Sequence, residues 1–390
     1  MSFRQLGFVW PMSSRTGWGV FGANLALELT ARGILPVPFI EPLDLDLPPE
    51  KMATLAPALK LQKQATAMIP PETDRVLTCP YPLLHALGNG LTTTKVSRKL
   101  SGQPDIGMVF IEDGRIDDIV RKRAERYRLI LAGSQWNADL LRAGGIDHVQ
   151  ACPQGVDTAL FSPDGPARDF DGRFTVFSGG KLEYRKGQDI VIAAFRRLLE
   201  HQPDALLAAA WHNYWPDPAP WPSAHVTGQP RQGDDRRLQL VEWVAANGIP
   251  ARNFLDLGAP TNAEMATIFR GATVGLFTNR AEGGTNLVAM EAMASGLPAI
   301  LSANTGHLDL ISAGNCYPLT EQGSAAATAD FVAVDDWGES DPEAAAVLLR
   351  QAHDNPSEAI RIGLAGSRSL QQWCWHDRIG HMLELIQEIT

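Results

Sequence analysis

The sequence predicts an α/β protein of two doubly wound domains, each a parallel sheet covered on both faces by helices. Three observations predict it. The chain has 390 residues, enough for two hydrophobic cores at about 100–200 residues per domain. Short apolar runs alternate with helical stretches along most of its length. Near the middle a cluster of chain breakers, Ser162, Pro163, Asp164, Gly165 and Pro166, interrupts that alternation as a linker would. The domains are therefore expected at residues 1–162 and 167–370.

The first series opens with a strand at residues 6–10, a helix at 19–32 and a strand at 34–40, a βαβ unit. Strands follow at 106–111, 129–132 and 149–152, with helices at 116–126 and 137–143 between them. Their apolar residues run on without alternating with polar ones, as strands buried on both faces require. The second series places strands at 174–178, 206–211, 254–257, 274–278 and 299–302, and helices at 189–200, 235–246, 262–269 and 286–294. The tryptophan- and proline-rich piece 211–221 has no regular period and reads as a long loop; the alanine-rich piece 323–329 reads as a helix or loop. No repeat of solenoid spacing occurs.

Apolar residues make up 45% and charged residues 20%, values of a folded globular chain. The net charge of −10 argues against nucleic-acid binding by phosphate neutralisation. Lys and Arg balance Asp and Glu at 17 each over residues 1–165, against 17 and 27 over residues 166–390. In the neutral first half, Lys95, Arg98, Lys99, Arg121, Lys122, Arg123, Arg126 and Arg128 gather. They read as a solvated face or as a weak contact with a membrane periphery or an acidic acceptor. Cys79, Cys152, Cys316 and Cys374 lack zinc or redox-pair spacing. With no leader-like start and no run of 18 apolar residues, a cytoplasmic protein is expected.

Three loops hold the residue types that bind anions and sugars. The first follows the opening strand and carries Arg15 and the spacing Gly17-x-Gly19-x-x-Gly22 ahead of a helix, with Glu41 at the end of the second strand. That pattern allows a dinucleotide site, a plain tight turn, or a loop for an anionic or sugar ligand. The second runs from Ser178 through Gly179, Gly180, Lys181 and Lys186 to Gly187, where cations and amides can hold a diphosphate. Walker spacing is absent. The third runs from Asn279 through Glu282, Gly283, Gly284, Thr285, Asn286 and Leu287 to Glu291. A helix N-terminus there favours an anion, and a carboxylate such as Glu291 suits a ribose diol, at about 1.5–3 kcal/mol per charge-assisted bond; a structural capping glutamate is the plainer reading.

Taken together with Ala132, Gly133 and Ser134 before a helix and Pro153, Gly155 and Asp157 before the linker, these signals resemble the retaining GT-B glycosyltransferases of glycosyltransferase family 4. The resemblance covers nearly the whole chain. It implies two Rossmann-like domains facing across a cleft, the nucleotide-sugar donor mostly on the second and the acceptor mostly on the first, with about 371–390 returning to the first. It implies that Glu291 binds the donor ribose, Glu282 contacts the transferred sugar, and Lys186, with Lys181 where an Arg is usual, holds the diphosphate. Amides of Thr285, Asn286 and Leu287 would assist, and Gly17 and Gly19 would approach the donor. The family's glutamates bracket seven residues; Glu282 and Glu291 bracket eight. A histidine common after the strand at 106–111 is replaced by Glu112 and Asp113, which makes Glu112 a catalytic candidate and His85 and Arg15 secondary ones.

The activity implied is retaining, hexosyltransferase-type transfer to an acceptor hydroxyl, the acceptor being a glycan, a lipid-linked saccharide, a protein or a small molecule. No metal or cofactor is expected, cations and amides taking the metal's place; Asp44 with Asp46 and Asp117 with Asp118 read as surface pairs. The rivals are a non-catalytic nucleotide-sugar-binding or scaffold protein of the same shape, a nicotinamide oxidoreductase, and a phosphorylase or epimerase; the phosphorylase lacks its pyridoxal lysine motif here.

Overall fold

A computed structural model describes residues 3–71, 75–212, 222–233 and 238–390. Contacts divide the chain into two compact units, Met1–Gly155 with Trp373–Thr390, and Val156–Gln372.

The first unit runs β1 (Gln5–Val9), α1 (Gly17–Ala31), β2 (Leu35–Pro38), α2 (Pro49–Ala67), β3 (Leu77–Thr78), β4 (Leu83–Leu87), β5 (Leu100–Ser101), β6 (Asp105–Val109), α3 (Asp118–Ala124), β7 (Leu129–Ala132), α4 (Gln135–Ala143) and β8 (Val149–Ala151). Six strands form a parallel sheet in the order β2-β1-β4-β6-β7-β8, and β3 pairs with β5 apart from it. Thr16 starts α1 by accepting a hydrogen bond from the Gly19 amide, one of the donors a helix start leaves unmatched. A Cβ on Gly19 would stand 2.2 Å from that of Ser13, so only glycine lets α1 lie this close to the loop after β1. The strand order reverses between β1 and β4, and in open α/β sheets ligands bind outside the carboxyl ends of the strands at such a reversal.

The second unit runs β9 (Thr175–Gly179), α5 (Gln188–Leu199), β10 (Leu206–Ala210), α6 (Leu240–Ala246), β11 (Phe254–Asp256), α7 (Asn262–Gly271), β12 (Val274–Phe277), α8 (Leu287–Ala294), β13 (Ala299–Ser302), β14 (Tyr317–Leu319), β15 (Gln322–Ser324), β16 (Gly338–Ser340), α9 (Pro342–Asp354) and α10 (Pro356–Leu370). Its parallel sheet has the order β11-β10-β9-β12-β13-β14, reversing between β9 and β12. Val176, Leu207, Leu276 and Ile300 from the strands and Val191, Phe195 and Leu349 from the helices share one buried core. The last helix, α11 (Trp375–Gln387), belongs to the first unit, where Trp375 stacks on Phe21 with ring centroids 5.7 Å apart.

Several elements differ from the sequence reading. β4 occupies a segment in which no strand was expected, and it is central: Leu83, Leu84 and Leu87 are buried and His85 is buried among them. α2 has no counterpart in the sequence reading, because it carries Pro57 and its apolar residues follow no single helical face, and only Leu55, Ala58, Gln62 and Ala65 are buried. Gly323 and Ser324, expected in a helix or loop, lie in β15, which pairs antiparallel with β16. The loop expected at 211–221 lies, for residues 213–221, outside the described residues, as do residues 235–237 of the helix expected at 235–246. No described helix is long and apolar enough to cross a membrane.

Candidate functional site

The chemistry-bearing residues of the second unit meet where its strand order reverses. After β9 the chain makes a single 3-10 turn, Tyr184–Lys186, and leaves it through Gly187 at φ +69°. A Cβ on Gly187 would sit 2.1 Å from the Thr278 carbonyl oxygen, and Thr278 Oγ1 donates to the Gly187 carbonyl at 2.8 Å. The turn thus lies directly on the chain leaving β12, and Lys186 is carried to Glu282.

Glu282 is buried inside a ring of donors. Lys186 Nζ lies 2.6 Å from its Oε1 and Arg185 NH1 3.2 Å from its Oε2, and Asn279 Nδ2 donates to Oε1. Its backbone is held as well: the amide donates to Thr305 Oγ1 at 2.8 Å, and the carbonyl accepts from the Gly306 amide at 3.0 Å. Burial by itself pushes the Glu282 carboxyl up, but Lys186 and Arg185 outweigh it and hold the pKa at about 2. Burial draws the Lys186 pKa down against the raising effect of Glu282. Glu183 pairs with Lys181 at 3.5 Å and with Arg185 at 3.0 Å. Lys181 is the most exposed of the three cations.

The residues after Glu282 lead into α8. Asn286 caps the helix from a left-handed backbone, φ +60°, its side chain accepting from the Ala289 amide at 3.4 Å. The amides of Thr285, Asn286 and Leu287 precede the first intrahelical bond, Met290 to Asn286, and helix starts of this kind favour negative charge. Glu291 lies one turn inside, 7% exposed, and among the described residues no hydrogen bond forms to its carboxyl. Burial, with the negative charge of Asp157 adding to it, pushes its pKa up to about 8. Glu282, Lys186, Thr285, Asn286, Leu287 and Glu291 are thus brought to one edge of one sheet.

In the first unit, Arg15 and Glu112 stand in loops after β1 and β6, and Gly17 is the first residue of α1. A Cβ on Gly17 would meet nothing within 4 Å, so its small size serves no packing inside the unit. Gly19 is different, since its amide is taken by Thr16 and its face by Ser13. Arg15 pairs with Asp44 at 3.2 Å and approaches Asp46 at 3.9 Å. The Glu112 amide donates to Asn89 Oδ1 at 2.8 Å, while Asn137 exchanges two hydrogen bonds with the Ile111 backbone. His85 is fully buried: Nδ1 meets Ser97 Oγ at 2.6 Å and Nε2 meets Asp105 Oδ1 at 2.7 Å. Asp105 opens β6, so the ring reaches toward the amino end of that strand, away from the loops above. Of the basic cluster, Arg126 turns inward to Asp105 and the Leu100 carbonyl, and Arg123 binds the Gly90 carbonyl.

Sequence reasoning passed over Arg185, Arg280 and His307. Arg280 is 1% exposed at its side chain. It bonds both oxygens of Asp189 at 2.9 and 2.7 Å, Glu339, and the Tyr184 carbonyl at 2.7 Å, and lies 3.9 Å over the Tyr184 ring. Asp189, His225 and Glu339 are, among the described residues, a group close enough to hold a metal ion. Their two carboxylates already grip the Arg280 guanidinium, so the cation there is the protein's own. The available signal was a lone arginine two positions before Glu282 in an otherwise apolar and small-residue motif.

Residues 166–347 match the family model described as Glycosyl transferases group 1. The chain is 25% identical over 285 residues to D-inositol 3-phosphate glycosyltransferase of Arthrobacter sp. (strain FB24), a match covering 71% of this chain and 57% of that protein; it thus spans little more than half of that relative's length. Among solved structures, sucrose-phosphate synthase from Thermosynechococcus elongatus superposes with a TM-score of 0.67 at 17% identity over 99% of each chain. The Anabaena protein Alr3699/HepE in complex with UDP and glucose gives 0.60 at 14% identity over 99% of this chain and 100% of that one. Both likenesses extend over the two units and identify the fold as GT-B.

Proposed function

We propose the following function for a chain whose second unit belongs to the glycosyl transferases group 1 family: it moves a hexose from a UDP- or GDP-sugar to an acceptor hydroxyl with retention of configuration and without a metal. The observation that carries this reading is the meeting of Lys186, Glu282 and Glu291 around the start of α8. Cleavage of the donor's anomeric bond leaves negative charge on the diphosphate and positive charge on the sugar. Lys186 and Lys181, with the amides of Thr285, Asn286 and Leu287, supply fixed positive charge to the first. Glu282, kept anionic by its cations, accepts hydroxyls of the transferred sugar and faces the second. Glu291 takes the ribose diol, which replaces the hydrogen bonds that its buried carboxyl lacks.

Retention follows when the acceptor hydroxyl attacks from the face that the diphosphate leaves, its proton passing to a phosphate oxygen. The acceptor is assigned to the first unit, where Arg15 and Glu112 stand after the carboxyl ends of β1 and β6, while Gly17 approaches the donor. His85 takes no part, both its nitrogens being engaged inside the fold. The second reading, a nucleotide-sugar-binding protein without turnover, is favoured by one feature, the eight residues between Glu282 and Glu291. Calorimetric titration of UDP and GDP into the wild type and Glu291→Ala tests the site. The reading expects one nucleotide to bind and the substitution to weaken it at least tenfold; equal affinities would remove Glu291 from the site.

A further inference from the structure

We infer that His307 and Asn286 form a positioning pair that fixes the direction of the amides at the start of α8 and with it the seat of the donor diphosphate; this rests on the donor reading above. Asn286 is a non-glycine residue in the left-handed region, a conformation that persists only where its surroundings hold it. Two side-chain bonds hold it. Its Nδ2 lies 3.0 Å from His307 Nε2, and its Oδ1 receives the Ala289 amide.

The imidazole decides which way that amide group faces. His307 Nδ1 lies 3.1 Å from the Ser302 carbonyl oxygen, which can only accept, so Nδ1 carries the hydrogen. In a neutral ring Nε2 is then a pure acceptor, and only the Nδ2 group of Asn286 satisfies it. The reversed amide would set an oxygen against the Nε2 lone pair and an NH2 against the Ala289 N–H. The ring is fully buried, and burial keeps it neutral, with a pKa lowered to about 4.

The same turn supports the rest of the loop. Thr305 and Gly306 bind the Glu282 backbone, and a Cβ on Gly306 would lie 1.6 Å from the Gly284 carbonyl oxygen. Residues 305–307 are therefore the bed on which 282–286 rests. The extra residue between the two glutamates must be absorbed before α8 begins, because Ala289, Met290, Ala292 and Met293 fix the helix by their burial. The left-handed Asn286 sits where that absorption has to end.

The test compares binding of UDP with UMP, or GDP with GMP, whichever pair the wild type binds, in four variants. His307→Phe keeps the ring's bulk without an acceptor, and Asn286→Asp removes the donor; both are expected to weaken the diphosphate at least tenfold while the monophosphate changes less than threefold. Asn286→Gly relieves the left-handed backbone, so it folds, yet loses both bonds and shows the same selective loss. His307→Gln, which can still donate to Ser302 and accept from Asn286, retains most of the diphosphate affinity. Equal losses for mono- and diphosphate in His307→Phe, or wild-type diphosphate affinity in Asn286→Gly, would overturn the pair. If the wild type binds neither UDP nor GDP, the donor reading itself falls, and that measurement comes first.

Discussion

Lys186 Nζ and Glu282 Oε1, 96 residues apart in sequence, lie 2.6 Å apart at the start of α8, with Arg185 closing on the other carboxylate oxygen. The side chains of Lys186 and Glu282 are 12% and 7% exposed. Removing one partner of such a buried pair leaves a charge without compensation, which costs about 3–5 kcal/mol. Glu282→Ala should therefore destabilise the protein by about that much, and Lys186→Met with Glu282→Leu by less than the sum of the single changes. Chemical denaturation of the wild type, Glu282→Ala, Lys186→Met, Glu282→Leu and the double variant checks both, and additive losses around the cycle would show the pair to be uncoupled.

Acid stability follows from the same carboxylate. Glu282 titrates at about 2 when folded and from an ordinary value of 4.5 when not. Between those values the unfolded chain binds more protons, so the stabilisation is present above pH 4.5 and lost as pH falls toward 2. Thermal melts of the wild type should fall more steeply across that window than those of Glu282→Gln; parallel curves would contradict the assignment.

Glu291 has the opposite sign. Its folded pKa of about 8 lies above the ordinary 4.5, so the native state binds the extra proton between them and stability declines as pH rises through that window. Glu291→Gln should flatten the decline. Hydrogen bonds from a ribose diol favour the carboxylate, so nucleotide binding at pH 7 should release a proton, measured by calorimetry in two buffers of different ionisation enthalpy. The Gln variant should release none.

Two glycines separate packing from ligand access. Gly187→Ala combines φ +69° with a Cβ 2.1 Å from Thr278 O, so it should lower the melting temperature and turnover together. Gly17→Ala meets nothing within 4 Å and should change stability by no more than about 0.5 kcal/mol. Any loss of activity in it then reports on a ligand.

Arg280→Lys keeps the charge but loses the fork that spans Asp189 and Glu339. It should lower kcat more than it raises the donor KM, since Arg280 also fixes the Tyr184 carbonyl of the turn bearing Lys186. Unchanged kinetics with a lowered melting temperature would make Arg280 a structural residue only.

How far the sequence could be read follows from where each residue's partners lie. β1, β7, β9 and β13 are apolar runs bounded by turn residues, and their burial is local in origin. β4 was hidden because His85 interrupts its apolar run, and what makes that burial tolerable is Ser97 and Asp105, 12 and 20 residues away. The roles of Glu282, Glu291 and Lys186 came from family resemblance; spacing alone left them open. Arg280 and His307 were illegible for a like reason, since Asp189 is 91 residues from the first and Asn286 is 21 from the second. A side chain whose task is to orient another carries no pattern of its own in the linear chain.

The central claim is tested most directly by following nucleoside diphosphate release from a panel of UDP- and GDP-sugars, with saccharide acceptors and EDTA present, in the wild type and Lys186→Ala. The account expects one sugar nucleotide to be consumed without added metal and the substitution to slow its consumption at least a hundredfold. Release from none of them above the enzyme-free rate, by a protein that binds the donor, would contradict transfer and leave the nucleotide-sugar-binding reading.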